Sequence, residues 1–235
     1  MAKASAGTGD SIHELKITLC GPKPPVWRRF AVPSDVTLAE LHEIAQIVMG
    51  WEDCHMHDFR LKTGKRKPDP HELASLMCAG RWDEIATANR SERIFNDAGF
   101  DGLDGEDEDL VALGELCPRP KAKLVYEYDF GDGWEHTIEV IRVHGAEPNT
   151  RYPKCLAGKR ACPPEDSGGV WGYYAKLEAL ADPKHPDHED VAEWMDPEFD
   201  PAAFDIDEVN QLLGDWRRHS RRRRSGGKGG HNRKK

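Results

Sequence analysis

Three histidines and a group of carboxylates, most of the latter in short blocks bearing glycine or proline, could together hold a divalent cation. His55, His57 and His136, with Asp129 or Asp132, offer the imidazole and carboxylate donors of a catalytic zinc or similar ion. His55 and His57 alternate on a strand-like segment and so share one face. In the competing reading, these histidines cap turns and donate to carbonyls. Cys155 and Cys162 are separated by six residues, too far apart for a zinc knuckle. A second chemistry is proton transfer by Asp132, Glu165 and Asp166, since adjacent carboxylates that are partly buried can divide into one protonated and one ionised group. Against it stands an ion-pair network in which Arg28, Arg29 and Arg160 hold the Pro163 to Asp166 loop on the sheet.

Most of these residues fall in two blocks, YDFGDGWEH (Tyr128 to His136) and RACPPEDSGGVWGYY (Arg160 to Tyr174). Loops carried on a rigid sheet suit such unpaired polar chemistry. Gly168 and Gly169 before a helix could present amides to an anion, but Glu165 and Asp166 would repel it, which favours a tight turn. EDSGG, Glu165 to Gly169, lacks the histidine block of a serine protease. DFG at Asp129 to Gly131 lacks the other kinase motifs, and His71 has Ser75 where a zincin has its second histidine. Asp97, Asp101, Gly102 and Glu108 match four positions of a calcium loop, which Gly99 and Gly105 interrupt, so a solvated acidic insertion is the expectation there.

The elements that must position these side chains can be read from periodicity. Ile12 to Leu19 is an opening strand, and GPKPPVWRRF runs extended to a turn at Pro33. Thr37 and Glu40 form a capping box, followed by Leu38, Leu41, Ala45 and Val48 at helical spacing and a stop at Gly50. Strands follow at His57 to Lys62, Lys123 to Tyr128 and Trp134 to Val143, the last two joined by a glycine-bearing hairpin loop. Short helices are expected at Pro70 to Cys78 and near Arg81 to Ala88. Three more are expected at Val170 to Ala181, from Pro186 onward, and from an Asp205 cap to about Leu213. Strands first and helices last define an α+β fold: a small, mainly antiparallel sheet on one N-terminal helix, with a C-terminal helical group and the motif loops meeting at one sheet end.

The chain has 235 residues, 38% hydrophobic and 32% charged, which suits one domain with polar extensions. The expected organisation is a disordered stretch 1–10, a single domain 11–215 with an insertion at about 65–110, and a basic disordered tail 216–235. No apolar run reaches the roughly 20 residues of a membrane span, and the N-terminus lacks the apolar stretch of a signal peptide, so a cytoplasmic protein with reduced thiols is expected. Ten of the 33 basic residues lie in Arg217 to Lys235, where there is no acid; the remainder of the chain therefore carries a charge of −19. That tail, with Arg221, Arg222, Arg223 and Arg224 at its centre, should attract phosphate backbones by counterion release. The acidic body repels polyanions and suits a basic protein partner instead.

KPPVWRRF (Lys23 to Phe30, including Trp27), TLAELHEIAQIVMGW (Thr37 to Trp51), the His55 and His57 pair, the block with Asp129, Gly131 and Trp134, and CLAGKRACPPEDSGGVWGYY with Pro164, Gly168, Gly169 and Tyr173 recur in order with FDPAAFDIDEVNQLL (Phe199 to Leu213). In these blocks the chain resembles the plasmid Ri ORF-three-like domain family. The insertion and the tail lie outside that resemblance. Its members occur on plasmids and as passengers of insertion elements; they are described as resolvases or are joined to repressor-type DNA-binding domains, with no established reaction. The resemblance implies a mobile-element setting and no mechanism, and the chain has no serine-recombinase nucleophile motif. The expected function is therefore a mobile-element-associated accessory factor that binds nucleic acid or a protein. The alternative is a metal-assisted hydrolase with His55, His57 and His136 as ligands and Asp132 or Glu165 as general base.

Overall fold

In the computed structural model, residues 11–62, 70–81, 92–97 and 105–226 are described. The N-terminal stretch 1–10, most of the segment expected as a helix near Arg81 to Ala88, Asp101 and Gly102 of the acidic loop, and 227–235 lie outside them. Eight strands form one sheet. They are β1 (Ser11–Leu19), β2 (Trp27–Pro33), β3 (His57–Lys62), β4 (Glu92–Asn96), β5 (Glu106–Asp107), β6 (Lys123–Tyr128), β7 (Trp134–Gly145) and β8 (Lys154–Lys159), in the order β5-β4-β3-β6-β7-β1-β2-β8. Every pairing is antiparallel except β4 with β5. The helices are α1 (Leu38–Met49), α2 (Pro70–Cys78), α3 (Leu113–Leu116), α4 (Gly169–Ala181), α5 (His188–Trp194) and α6 (Ile206–Gly226). The fold is α+β, and the sheet does not close into a barrel. Among the described residues no helix is long and apolar enough to cross a membrane.

Strand alternation builds the core. Leu124, Tyr126 and Tyr128 of β6 and Trp134, Ile138 and Val140 of β7 turn inward, joined by Leu15, Ile17 and Leu19 of β1. Helix α1 covers that face with Leu38, Leu41, Ala45 and Val48. Each of the leucines and the valine contributes about 1.5–3 kcal/mol when fully buried. Both halves of the Thr37–Glu40 capping box are made, and Gly50 ends the helix in the left-handed region at φ 96°.

Within the segment 65–110, expected as an insertion, the described residues 92–96 and 106–107 join the sheet as β4 and β5. Its β4 pairs with β3, its β5 with β4, and Phe95 is fully buried in the core. One aromatic in a polar run has too little periodicity to announce a strand. Strand β8 was also not expected: it pairs with β2 at the sheet's far edge, and its sequence KCLAGK is short and carries a glycine. The third C-terminal helix does start on an Asp205 cap, whose carboxylate accepts from the Asp207 and Glu208 amides, but it continues past Leu213 to Gly226. The basic segment is therefore helical through that residue. Helix α5 begins at His188, two residues after the expected proline.

Candidate metal centre

Three loops meet at one end of the sheet. The first joins α1 to β3 and carries Trp51, Asp53, Cys54 and His55; the second is the β6–β7 hairpin, Asp129 to Gly133; the third runs from β8 to α4 and carries Pro163, Pro164, Glu165 and Asp166. Main-chain groups tie them together. The Trp51 indole donates to the Pro163 carbonyl (3.0 Å), the Glu52 amide to Glu165 Oε1 (2.9 Å), and the Asp129 amide to the Met56 carbonyl (2.9 Å). The Gly168 amide donates to Asp132 Oδ2 (2.9 Å). Gly168 and Gly169 both hold positive φ, and a Cβ at Gly169 would lie 2.5 Å from the Asp132 carbonyl oxygen. The close approach of the third loop to the hairpin therefore requires glycine.

His55 stands where these loops converge. Its Nε2 is 3.5 Å from Asp166 Oδ1, 3.7 Å from Asp129 Oδ2 and 3.8 Å from Glu165 Oε2. Each carboxylate except Asp166 has its other oxygen occupied. Asp129 Oδ1 accepts from the Gly131 and Asp132 amides, and Glu165 Oε1 accepts from the Tyr128 hydroxyl (3.1 Å) as well as from Glu52. Burial drives the Tyr128 pKa well above its ordinary value, so the hydroxyl stays protonated and remains a donor. His55 Nε2 and Glu165 Oε2 are buried atoms with no hydrogen-bond partner among the described residues, and they lie 3.8 Å apart. Two such atoms at a separation too long for a hydrogen bond fit a small bridging occupant. Donors at about 2.1 Å from a tetrahedral ion lie about 3.4 Å apart, close to the separations seen here. Asp129 and Asp166 both adopt left-handed backbone, at φ 55°, as does Asp53 at φ 58°. Aspartate tolerates that conformation better than most residues.

A cleft of about 770 Å³ opens beside His55 and Cys54, lined also by His42, Asp53, His57 and Glu108. The His42 and His57 rings stack 3.4 Å apart and almost parallel. Each has its own carboxylate: His42 Nε2 bonds Asp53 Oδ1 at 2.6 Å and His57 Nε2 bonds Glu108 Oε2 at 3.0 Å. His42 Nδ1 reaches the Tyr126 hydroxyl, which also accepts from Gln46. Burial lowers the His42 pKa against the opposing pull of Asp53, and the His42 hydrogen bond lowers that of Asp53.

The three histidines expected as ligands thus occupy three environments. His55 joins the carboxylates, His57 lines the cleft on Glu108, and His136 is fully buried with Nδ1 3.3 Å from the Tyr126 carbonyl. Desolvation pushes the His136 pKa down to about 3. Among the described residues, the groups whose donor atoms lie within 4.8 Å of one another are Cys54, His55 and Glu165, and His55, Asp129 and Asp166. Of the expected acids, Glu165 and Asp166 reach His55, whereas Asp132 serves as the latch on Gly168. The arginine network expected to neutralise them is absent among the described residues. Arg28 is buried and donates to the Val48, Trp27 and Lys159 carbonyls while its guanidinium lies 4.2 Å over Phe204; Arg29 pairs with Glu14 at 2.6 Å. Of the remaining motif residues, Trp27 lies under the Lys16 ammonium, Trp134 is core, the Pro164 carbonyl accepts from Ser167, and Tyr173 packs edge-on against Phe199. Cys54 and His42 were not singled out from the sequence, and Glu108 only as a calcium-loop position; the one signal for Cys54 was its place next to His55.

A mostly antiparallel α+β sheet with an imidazole and carboxylate cluster on its end loops defines the structural class. Within it, the chain belongs to the plasmid pRiA4b ORF-3-like protein family, whose model matches residues 11–208 and so spans the segment 65–110. It is 34% identical over 219 residues to the uncharacterized protein y4hQ of Sinorhizobium fredii (strain NBRC 101917 / NGR234), covering 91% of this chain and 98% of that one. The crystal structure of the protein of unknown function MM3350 from Methanosarcina mazei Go1 is similar to it with a TM-score of 0.69 and 32% identity, over 86% of this chain and 98% of that one.

Proposed function

We propose that the protein is a divalent-metal-dependent hydrolase whose centre is His55 with Asp129, Glu165 and Asp166. The observation that carries this reading is the adjacent pair of buried atoms, His55 Nε2 and Glu165 Oε2, that lack a hydrogen-bond partner among the described residues. An ion there would make a bound water acidic enough to act as nucleophile near neutral pH. Asp166, with 74% of its side chain exposed, is the carboxylate placed to accept a proton from that water, and the adjoining cleft is large enough for a small-molecule substrate. A cytoplasmic setting is supported by the six free thiols, and a mobile-element setting by the family. The test is elemental analysis of untagged protein, followed by chelation and metal add-back on ester and phosphoester substrates. About one equivalent of metal, lost in His55→Ala, is expected together with metal-dependent turnover. Folded, metal-free, inactive protein overturns the reading.

A second reading, nucleic-acid association, is favoured by the basic end of α6. Arg217 and Arg218 line a hollow of about 250 Å³ with Arg151, and the helix continues through Arg221, Arg222, Arg223 and Arg224. A helical run of arginines tracks phosphates without reading sequence. Binding to this end should weaken steeply as salt rises. Salt-insensitive binding, or none, removes the reading.

A further inference from the structure

We infer that Cys54 is a thiolate ligand of the proposed centre and that it makes the site one for zinc rather than for magnesium, calcium or manganese. This rests on the metal reading above and goes beyond it by naming the ion and a ligand. The Cys54 sulfur, His55 Nε2 and a Glu165 carboxylate oxygen all lie within 4.8 Å of one another, and His55 is shared with the group formed by Asp129 and Asp166. Cys54 is held in place through its backbone: its amide donates to the Tyr128 hydroxyl at 3.0 Å, the same hydroxyl that donates to Glu165. Tyr128 therefore fixes two of the three donors of the first group at once. The sulfur itself lies 3.8 Å from that hydroxyl, and Cys54 is an exposed residue.

Two physical arguments select the metal. Thiolate and imidazole are borderline-soft donors that favour zinc, whereas oxygen-only sets suit the hard cations. Spacing argues further against magnesium, which in octahedral coordination at about 2.1 Å would bring neighbouring donors to about 3.0 Å, while four-coordinate zinc allows about 3.4 Å; calcium is set aside by the soft donors alone. The observed 3.5–3.8 Å separations around His55 lie nearer the zinc value.

Cobalt(II) is the probe, added to the full-length, chelator-stripped protein. The expected spectrum has visible bands of a four-coordinate ion and an intense near-ultraviolet thiolate-to-metal band, and zinc displaces both. In Cys54→Ser the ultraviolet band is lost, the visible bands persist through His55 and the carboxylates, and zinc affinity falls by about tenfold or more. Cys78→Ser, altering an exposed thiol on α2, should change neither. Visible bands without the thiolate band in the unaltered protein overturn this inference and leave the metal centre standing. Failure of cobalt, zinc and manganese all to bind overturns both.

Discussion

His136 has no exposed surface, its Nε2 finds no hydrogen-bond partner among the described residues, and burial holds its pKa at about 3. The unfolded chain, with an ordinary histidine value near 6.5, binds that proton more readily. Stability is therefore complete above about pH 6.5 and declines as pH falls toward 3, with a slope of up to about 1.4 kcal/mol per pH unit from this one group. His13 and His42, whose values burial also lowers, add to the decline in the same direction. Urea midpoints taken across pH 7 to 4 should fall, and in His136→Leu the curve should flatten by about one proton's worth, whatever the change in absolute stability. At the site, Tyr128→Phe removes the hydroxyl that anchors both Glu165 and the Cys54 amide. We expect metal affinity by calorimetry to drop about tenfold, with a stability loss of about 1–3 kcal/mol for the unsatisfied partners.

At the scale of elements, α1 and the glycine turn before α4 make separable contributions. Thr37→Ala removes one half of the capping box and should cost about 1 kcal/mol in urea unfolding, with the site unchanged. Gly169→Ala places a methyl against the Asp132 carbonyl at a φ of 68°. Left-handed strain of about 1–2 kcal/mol and overlap of about 1–3 kcal/mol give an expected loss of about 2–5 kcal/mol. Because the same turn seats Glu165 and Asp166, metal affinity should fall with it, which Thr37→Ala does not cause. Helix α1 was legible because cap, stripe and stop agree locally; β4 was not, because Phe95 contributes to the core only once β3 lies beside it.

Across the whole molecule, charge is divided between an acidic body and a basic helix end. Replacing Arg221, Arg222, Arg223 and Arg224 together by glutamine in the full chain tests the second reading without removing Trp216, whose indole donates to Glu43 on α1. If all four meet phosphates, the slope of log affinity against log salt should become shallower by roughly 3 to 4. Filter binding or fluorescence anisotropy at several salt concentrations measures it, and an unchanged slope excludes those arginines. The extent of that basic run was plain in the sequence, since composition needs no fold, as were the strands β1, β3, β6 and β7, whose alternation is a local signal. The loop blocks were legible as runs of polar and turn-forming residues for the same reason. Which imidazole meets which carboxylate was not. His55, Asp129 and Glu165 come together only because the sheet order sets β3 beside β6 while the β8–α4 loop folds back over the same end, and His136 is excluded because its strand faces it into the core. Side-chain type and spacing are properties of the chain; proximity and desolvation arise from packing between distant segments.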